Sequence, residues 1–519
     1  MKINTKSLLY GTFVLTAANF FVRMLGFIYR VFLSRFIGAE GMGLVQLISP
    51  LYMVSITLTA SGIPTAVSRL IAQQKAVNNI SGIKKTLVIS LSLAASISLC
   101  ITCILYLSMD SVAGNILKDM RTIPSLFIFT PCIIIIALGA VLKGYFYGLK
   151  DIHPSALAEI IEQIVRMGLV LALLLWLPPL NIEISAAVVT FGMVIGELAS
   201  LLYLHYCYYH SKQSTGFKHT SQSSVSLIKN ILAIAFPVTF TRLISSVMMA
   251  ANSILIPQRL MTSGMNNHQA ISTFGIISGM VLPLLFFPFT LTSALSVVII
   301  PNISESVALK NWVNINDKIS KSILITCLTA FPCMALLVPL AHPIGIAIYN
   351  QPDVGKYLVP LSCFIIFFCL QHTLGSTLNG LGKQNRAAVH FIIGGSIQIL
   401  CTYFLVARPG FGIYGFIIGF ILSSIIVSSL NFFTVIHIAK IKIRWIKWFG
   451  KPILAASVMG ALVYDSYVSL TSCGMFYIYS LIIAAITGLL VFLLILIVLG
   501  YIPYSYIRNM TNKIRAGRK

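Results

Sequence analysis

Five arginines lie inside long apolar runs, where a charge must find a partner or a cavity: Arg23, Arg30, Arg35, Arg166 and Arg242. Asn19, Arg23, Gly26 and Arg30 follow one another at spacings of four, three and four, so they share one helix face. Arg242 ends a Phe240-Thr241-Arg242 run much like Phe21-Val22-Arg23, with Ser245 and Ser246 on its own face. Guanidinium forks lining one cavity would bind phosphate or pyrophosphate bidentately. The plainer alternative is that they bond backbone carbonyls or snorkel to an interface, the reading that fits Arg35 near the end of its run. A second constellation is Glu159, Glu162 and Arg166. Glu162 and Arg166 stand in the favourable i,i+4 order, with Glu159 on the same face. Such a stripe either neutralises itself and packs, or supplies gating or ion coupling through a carboxylate that exchanges partners with Arg23 or Arg30 or holds a coupling cation. Glu197 and Asp465 have no evident partner in the sequence.

The elements that carry these residues follow from composition. The chain has 519 residues, 58% of them hydrophobic and 9% charged, whereas a soluble domain carries roughly 25% charged residues. Apolar runs long enough to cross a bilayer recur throughout. The expected spans are 8–36, 42–60, 86–108, 123–147, 155–177, 184–206, 228–256, 273–301, 320–341, 357–380, 387–407, 411–438, 452–470 and 476–500. This predicts an all-α polytopic membrane protein of about fourteen transmembrane helices. Short amphipathic helices are expected near 61–70 and 302–319. The first run is too long for a signal peptide, carries Arg23 and Arg30, and lacks a small-residue cleavage site, so it reads as a retained helix.

Of the 36 basic residues, 26 fall on alternate connections beginning with the N-terminus and five on the opposite ones. That bias places both termini in the cytoplasm of a cell membrane. The net charge of +24 is therefore a topology signal and predicts no nucleic-acid partner. Cys100 and Cys103 form a C-x-x-C inside an apolar run without a second pair, so packing explains them better than metal or redox chemistry. His372 and His390 lack ligand spacing, and no glycine loop for nucleotides occurs. The chain reads as no enzyme, with no metal and no cofactor.

An internal repeat sharpens the class. Pro50-Leu51 with Thr57-Leu58-Thr59 matches Pro283-Leu284 with Thr290-Leu291-Thr292, and Gly148-Leu149 with Ala156 matches Gly380-Leu381 with Ala388. The offsets are 233 and 232 residues. Six spans per repeat is an even number, so both halves enter the membrane the same way. Two parallel six-helix lobes with a binding site between them, the architecture of a transporter, are expected. The divisions are 1–211 for spans 1–6, 212–442 for spans 7–12, and 443–519 for spans 13–14 with a basic tail.

Phe21-Val22-Arg23-Met24-Leu25-Gly26-Phe27 followed by Arg35-Phe36-Ile37-Gly38 resembles the opening of the polysaccharide-transport and lipid II flippase families. Both belong to the multidrug/oligosaccharidyl-lipid/polysaccharide (MOP) superfamily. Gly144-Tyr145-Phe146-Tyr147-Gly148, Gly196-Glu197-Leu198 and Ile256-Pro257-Gln258-Arg259-Leu260 are similar to its stage V sporulation branch. The resemblance spans essentially the whole chain. It implies a MATE/MOP-like fold with a cationic cavity, Arg23 contributing, and two last helices that shape a groove for a lipid tail. It also implies movement of an undecaprenyl-pyrophosphate-linked oligosaccharide or peptidoglycan precursor by alternating access, for spore cortex or cell-wall synthesis. The partners implied are the lipid bilayer, that lipid-linked saccharide, cell-wall synthases and a coupling cation. The second and eighth spans carry no arginine, where lipid II flippases place further cations, which argues against lipid II itself as the substrate. A cation-coupled drug exporter of MATE type and a non-transporting scaffold for wall enzymes are the competing readings. Arginines where drug exporters tend to carry an acid count against the first.

Overall fold

The computed structural model describes residues 5–177, 181–210, 223–441 and 443–501; the side chains of 5–17, 19, 291, 294, 297 and 298 are not described. Among these residues the chain is helical throughout, with no strand. Two compact units form, one from Met1–Gly279 with Thr402–Ile413 and the other from Met280–Cys401 with Tyr414–Lys519.

The first unit contains α1 (Thr5–Ala60), α2 (Gly62–Ala76), α3 (Ile80–Leu107), α4 (Ile123–Phe129), α5 (Cys132–Gly148), α6 (His153–Trp176), α7 (Ile182–His210), α8 (Ser224–Thr262) and α9 (Asn267–Gly275). The second contains α10 (Phe287–Ala308), α11 (Trp312–Tyr349), α12 (Asp353–Cys363), α13 (Ile365–Gly380), most of α14 (Gln384–Leu405), α15 (Tyr414–Ala439), α16 (Lys451–Ser472) and α17 (Tyr477–Val498).

Helix boundaries follow local chemistry. Asn79, Ser223, Asn266 and Asn311 cap α3, α8, α9 and α11, each accepting a backbone N–H from three residues ahead. The first two expected spans run together as α1, broken only at Gly38, whose φ of 69° an L side chain rarely adopts. The helix expected near 61–70 is α2; over 302–319 the ends of α10 and α11 meet instead.

Among the described residues, ten helices are long and apolar enough to cross a membrane, or up to twelve if each of two bent pairs is one span. This is fewer than fourteen for two visible reasons. The run Phe20–Ala76 counts once although it holds two expected spans, and α6 carries Glu159, Glu162 and Arg166 within its apolar run.

The backbone carries the repeat more plainly than the side chains do. Left-handed residues end helices at Asn78 and Lys310, at Lys118 and Asn350, and at Lys150 and Gly382, each pair 232 apart. The caps Asn79 and Asn311 keep the same offset. The bent pairs correspond as well, α4 with α5 at 41° and α12 with α13 at 53°. A Cβ on Gly148 would approach Ser68 O and Ile71 Cβ, and one on Gly380 would approach Ile300 O and Ile303 Cβ, again 232 on. Equivalent helices thus pack through equivalent glycines.

The core of the first unit is apolar and continuous. Ile63, Val67 and Ile71 of α2 meet Leu87 of α3, Val141 and Tyr145 of α5, and Ile231 of α8. Burying such side chains stabilises by about 1.5–3 kcal/mol each in water. Between helices in lipid that term is largely absent, and close packing through small residues takes its place.

Candidate functional site

One group of charged residues of the first unit lies where α1, α5, α6 and α7 meet. On α6, Glu162 accepts from the Arg166 guanidinium across one turn, with side chains 15% and 20% exposed. Glu159 lies one turn earlier and meets Lys143 of α5, Nζ to Oε1 3.9 Å. Close helix approach puts this stripe against α7: a Cβ at Gly196 would lie 2.8 Å from Glu162 O and 3.2 Å from Arg166 Cβ. The next residue, Glu197, accepts from the Tyr52 hydroxyl at 3.3 Å. Glu162, Arg166 and Lys143 all act electrostatically on Glu197, so five polar side chains from four helices form one network.

Helix α1 closes the network on another side. The Gly26 position lies 3.6 Å from Gln163 Nε2, measured from an ideal Cβ, which sets the Arg23–Gly26–Arg30 face against α6. Arg23 and Arg30 are exposed, and each takes part in further interactions. Arg30 and Arg166 both act on Tyr29, whose hydroxyl is buried with no hydrogen-bond partner among the described residues. Arg166 Nε is likewise buried and unsatisfied. Two unsatisfied polar atoms beside an ion pair mark a place where water or a polar ligand group is needed. Together the groups offer the partly buried guanidinium of Arg166 with the exposed ones of Arg23 and Arg30 nearby, and carboxylates and phenols beside them, an arrangement suited to holding an anion and trading its partner.

Arg242 is exposed on α8, and its face of that helix reaches α1 one turn on, where Ser246 Oγ and Thr57 Oγ1 lie 2.6 Å apart. No described hydrogen bond or ion pair joins Arg242 to the network of α6 and α7. Asn19 lies on α1, but its side chain is outside the described residues.

Sequence reasoning found the Glu162–Arg166 pair and the face of α1, and missed the partner of Glu197. Tyr52 is 145 residues away from it, and only helix register brings the two together. A second polar cluster was missed entirely. Arg121 chelates Asp119, with Nη2 to Oδ2 at 2.7 Å, and reaches Glu40 Oε1 at 2.6 Å. Glu40 also bonds His268, and Asn267 Nδ2 donates to Asp119 at 3.2 Å. This cluster ties α1 just past its Gly38 break to the start of α9. Its only local signal is the Asp119-x-Arg121 spacing.

Among the described residues, no group of three or more His, Cys, Asp or Glu is placed to hold a metal ion.

Comparison with known proteins decides the family. Residues 8–307 match the family described as Polysaccharide biosynthesis protein, and residues 244–404 match MatE. The chain belongs to the polysaccharide biosynthesis protein family. Among relatives of this family member, Stage V sporulation protein B of Bacillus subtilis (strain 168) is 30% identical over 446 residues, 85% of each chain. Lipid II flippase MurJ of the same strain is 25% identical, over 76% of this chain and 77% of that one. A solved structure of lipid II flippase MurJ in an inward closed conformation superposes with a TM-score of 0.71 at 17% identity, covering 93% of this chain and 98% of that one. An inward-facing MATE-family multidrug transporter gives 0.69 at 15% identity, covering 81% and 94%. This family member is therefore a multi-pass membrane protein of the MOP superfamily with the fold of its transporters, and the relatives and solved structures above whose names state an activity are flippases and transporters.

Proposed function

We propose that this protein is a flippase that carries a lipid-linked oligosaccharide or peptidoglycan precursor, joined to undecaprenyl pyrophosphate, across the cytoplasmic membrane by alternating access. The observation that carries the proposal is the guanidinium-bearing face of α1, with Arg23 and Arg30, set against the Glu162–Arg166 pair of α6. A pyrophosphate is the headgroup feature that such a face suits best, since arginine bonds its oxygens bidentately. In this reading Arg23, Arg30, Arg242 and Asn19 receive the headgroup. Glu162 releases Arg166 as the anion arrives, and Glu159 and Glu162 gate the passage or couple it to a cation. Two six-span lobes, 1–211 and 212–442, rock about this site, and 443–519 guides the lipid tail.

The similarity to a sporulation protein supports a role in spore-cortex or cell-wall synthesis, with wall synthases as consumers of the product. The charge bias of the connections supports cytoplasmic termini.

The test is protein-dependent flipping of a labelled undecaprenyl-pyrophosphate saccharide in proteoliposomes. Losing one charged hydrogen bond to the headgroup, as in Arg23→Ala or Arg242→Ala, should slow flipping about ten- to a hundredfold. Flipping no faster than in empty liposomes, across several sugars and with an imposed ion gradient, would discard the proposal in favour of drug export or a scaffold role.

A further inference from the structure

The last two helices, to which the proposed function gives the cargo's lipid tail, also build a basic groove at one end, and its cations are none of the residues proposed for the headgroup. Helices α16 and α17 are joined by only 473–476 and pack along each other, so the start of α16 and the end of α17 lie at the same end of the pair. Each is 22 residues long, about 33 Å, enough to cross the hydrocarbon core. That end therefore lies at the level of lipid headgroups.

A groove of about 720 Å³ opens there, and its cations are Arg444, Lys447 and Lys451. No acid lines it. Its walls are tied in place. Lys451 Nζ donates to Leu499 O at 3.3 Å, the Tyr501 hydroxyl donates to Lys447 O, and Trp448 Nε1 donates to Ser320 Oγ of α11 at 2.9 Å. Exposed Trp445 and Ile446 stand beside the cations. Tryptophan and tyrosine with lysine and arginine are the residues that settle at a membrane–water interface. Below the groove, α17 exposes Ile486, Leu490 and Leu494 along its length, a surface that acyl chains would cover.

We propose that this groove holds an anionic phospholipid of the surrounding bilayer, its phosphate among Arg444, Lys447 and Lys451 and its chains along α16 and α17. The phosphate of a resident lipid and the pyrophosphate of a transported one share the same chemistry. Position favours the resident lipid: a transport site must be reachable from both faces of the membrane, whereas every residue lining this groove belongs to one end of the helix pair.

The test is lipid retention by the purified full-length protein, measured by native mass spectrometry. The probes are phosphatidylglycerol, phosphatidylcholine with the same chains, undecaprenyl pyrophosphate and inorganic pyrophosphate. Phosphatidylglycerol is expected to be held in preference to phosphatidylcholine and not displaced by inorganic pyrophosphate. Removing two cations in Arg444→Gln/Lys447→Gln should weaken it about thirtyfold, at about fivefold per charge. The charge-keeping pair Arg444→Lys/Lys447→Arg should retain it. If the neutral pair melts early, Arg444→Gln alone carries the test at about fivefold. Equal retention of the two phospholipids, or of phosphatidylglycerol by wild type and neutral variant, overturns the proposal. So does undecaprenyl pyrophosphate held in place of phosphatidylglycerol and lost in the neutral variant, which would make the groove a cargo site.

Discussion

The two repeats share a backbone and differ in charge. Left-handed caps, asparagine N-caps, bent helix pairs and glycine contacts recur 232 residues apart. The network of the first repeat does not recur: the positions 232 beyond Lys143, Glu159, Glu162, Arg166 and Glu197 hold Gly375, Phe391, Gly394, Gln398 and Ser429. The second repeat offers contacts without a carboxylate or guanidinium at its helix crossings, His390 Nδ1 with Asn431 Oδ1 at 2.8 Å and Thr326 with Thr373 at 2.8 Å. The described ion pairs of the second unit, Lys321–Asp317 and Lys356–Asp353, have well-exposed side chains. Gly394, where Glu162 has its counterpart, lets α14 approach Val427 of α15. One repeat has kept charged residues where the other keeps close packing. The proposed headgroup site, carried by the first repeat with Arg242 added by the second, would account for that asymmetry.

The largest expected effect breaks the comparison at its centre. Arg166→Gln, which installs the residue of the second repeat, strands Glu162 in a partly buried site. About 3–5 kcal/mol of stability should be lost, read as a lower melting temperature, along with transport. Glu162→Gln/Arg166→Gln should recover much of the stability without recovering transport. Recovery of both would reduce the pair to packing.

Next in size is Gly196→Ala. Its new methyl meets the backbone carbonyl of Glu162, so α6 and α7 must separate at about 1–3 kcal/mol. Unchanged melting would mean that the two helices are less closely set. Tyr52→Phe removes one hydrogen bond to Glu197, at about 1 kcal/mol. The measurement that sharpens the point is the pH dependence of flipping, which should move in this variant and stay fixed in Thr373→Val. The smallest effect belongs to the exposed pair: Lys321→Ala should change stability by less than about 0.5 kcal/mol.

The sequence made the membrane class readable because composition needs no geometry. The repeat was readable from Gly148-Leu149 and Gly380-Leu381 because glycine contacts constrain residue type. Glu162 with Arg166 was readable because four residues span one helical turn. Tyr52 with Glu197, and Glu40 with Arg121 and His268, were not. Those contacts depend on how separate helices rotate and slide, which local spacing does not encode. The sequence separates the first two expected spans, 8–36 and 42–60, yet does not reveal that they join in one helix, α1, interrupted only at Gly38.

The most direct measurement compares the two repeats in one flipping assay. Arg23→Ala on the first repeat and His390→Ala/Asn431→Ala on the second are reconstituted at equal amounts with a labelled undecaprenyl-pyrophosphate saccharide. A headgroup site built on the first repeat requires a loss of about tenfold or more for Arg23→Ala and less than about twofold for the His390/Asn431 pair. Equal losses, or the larger loss in the second repeat, would contradict it.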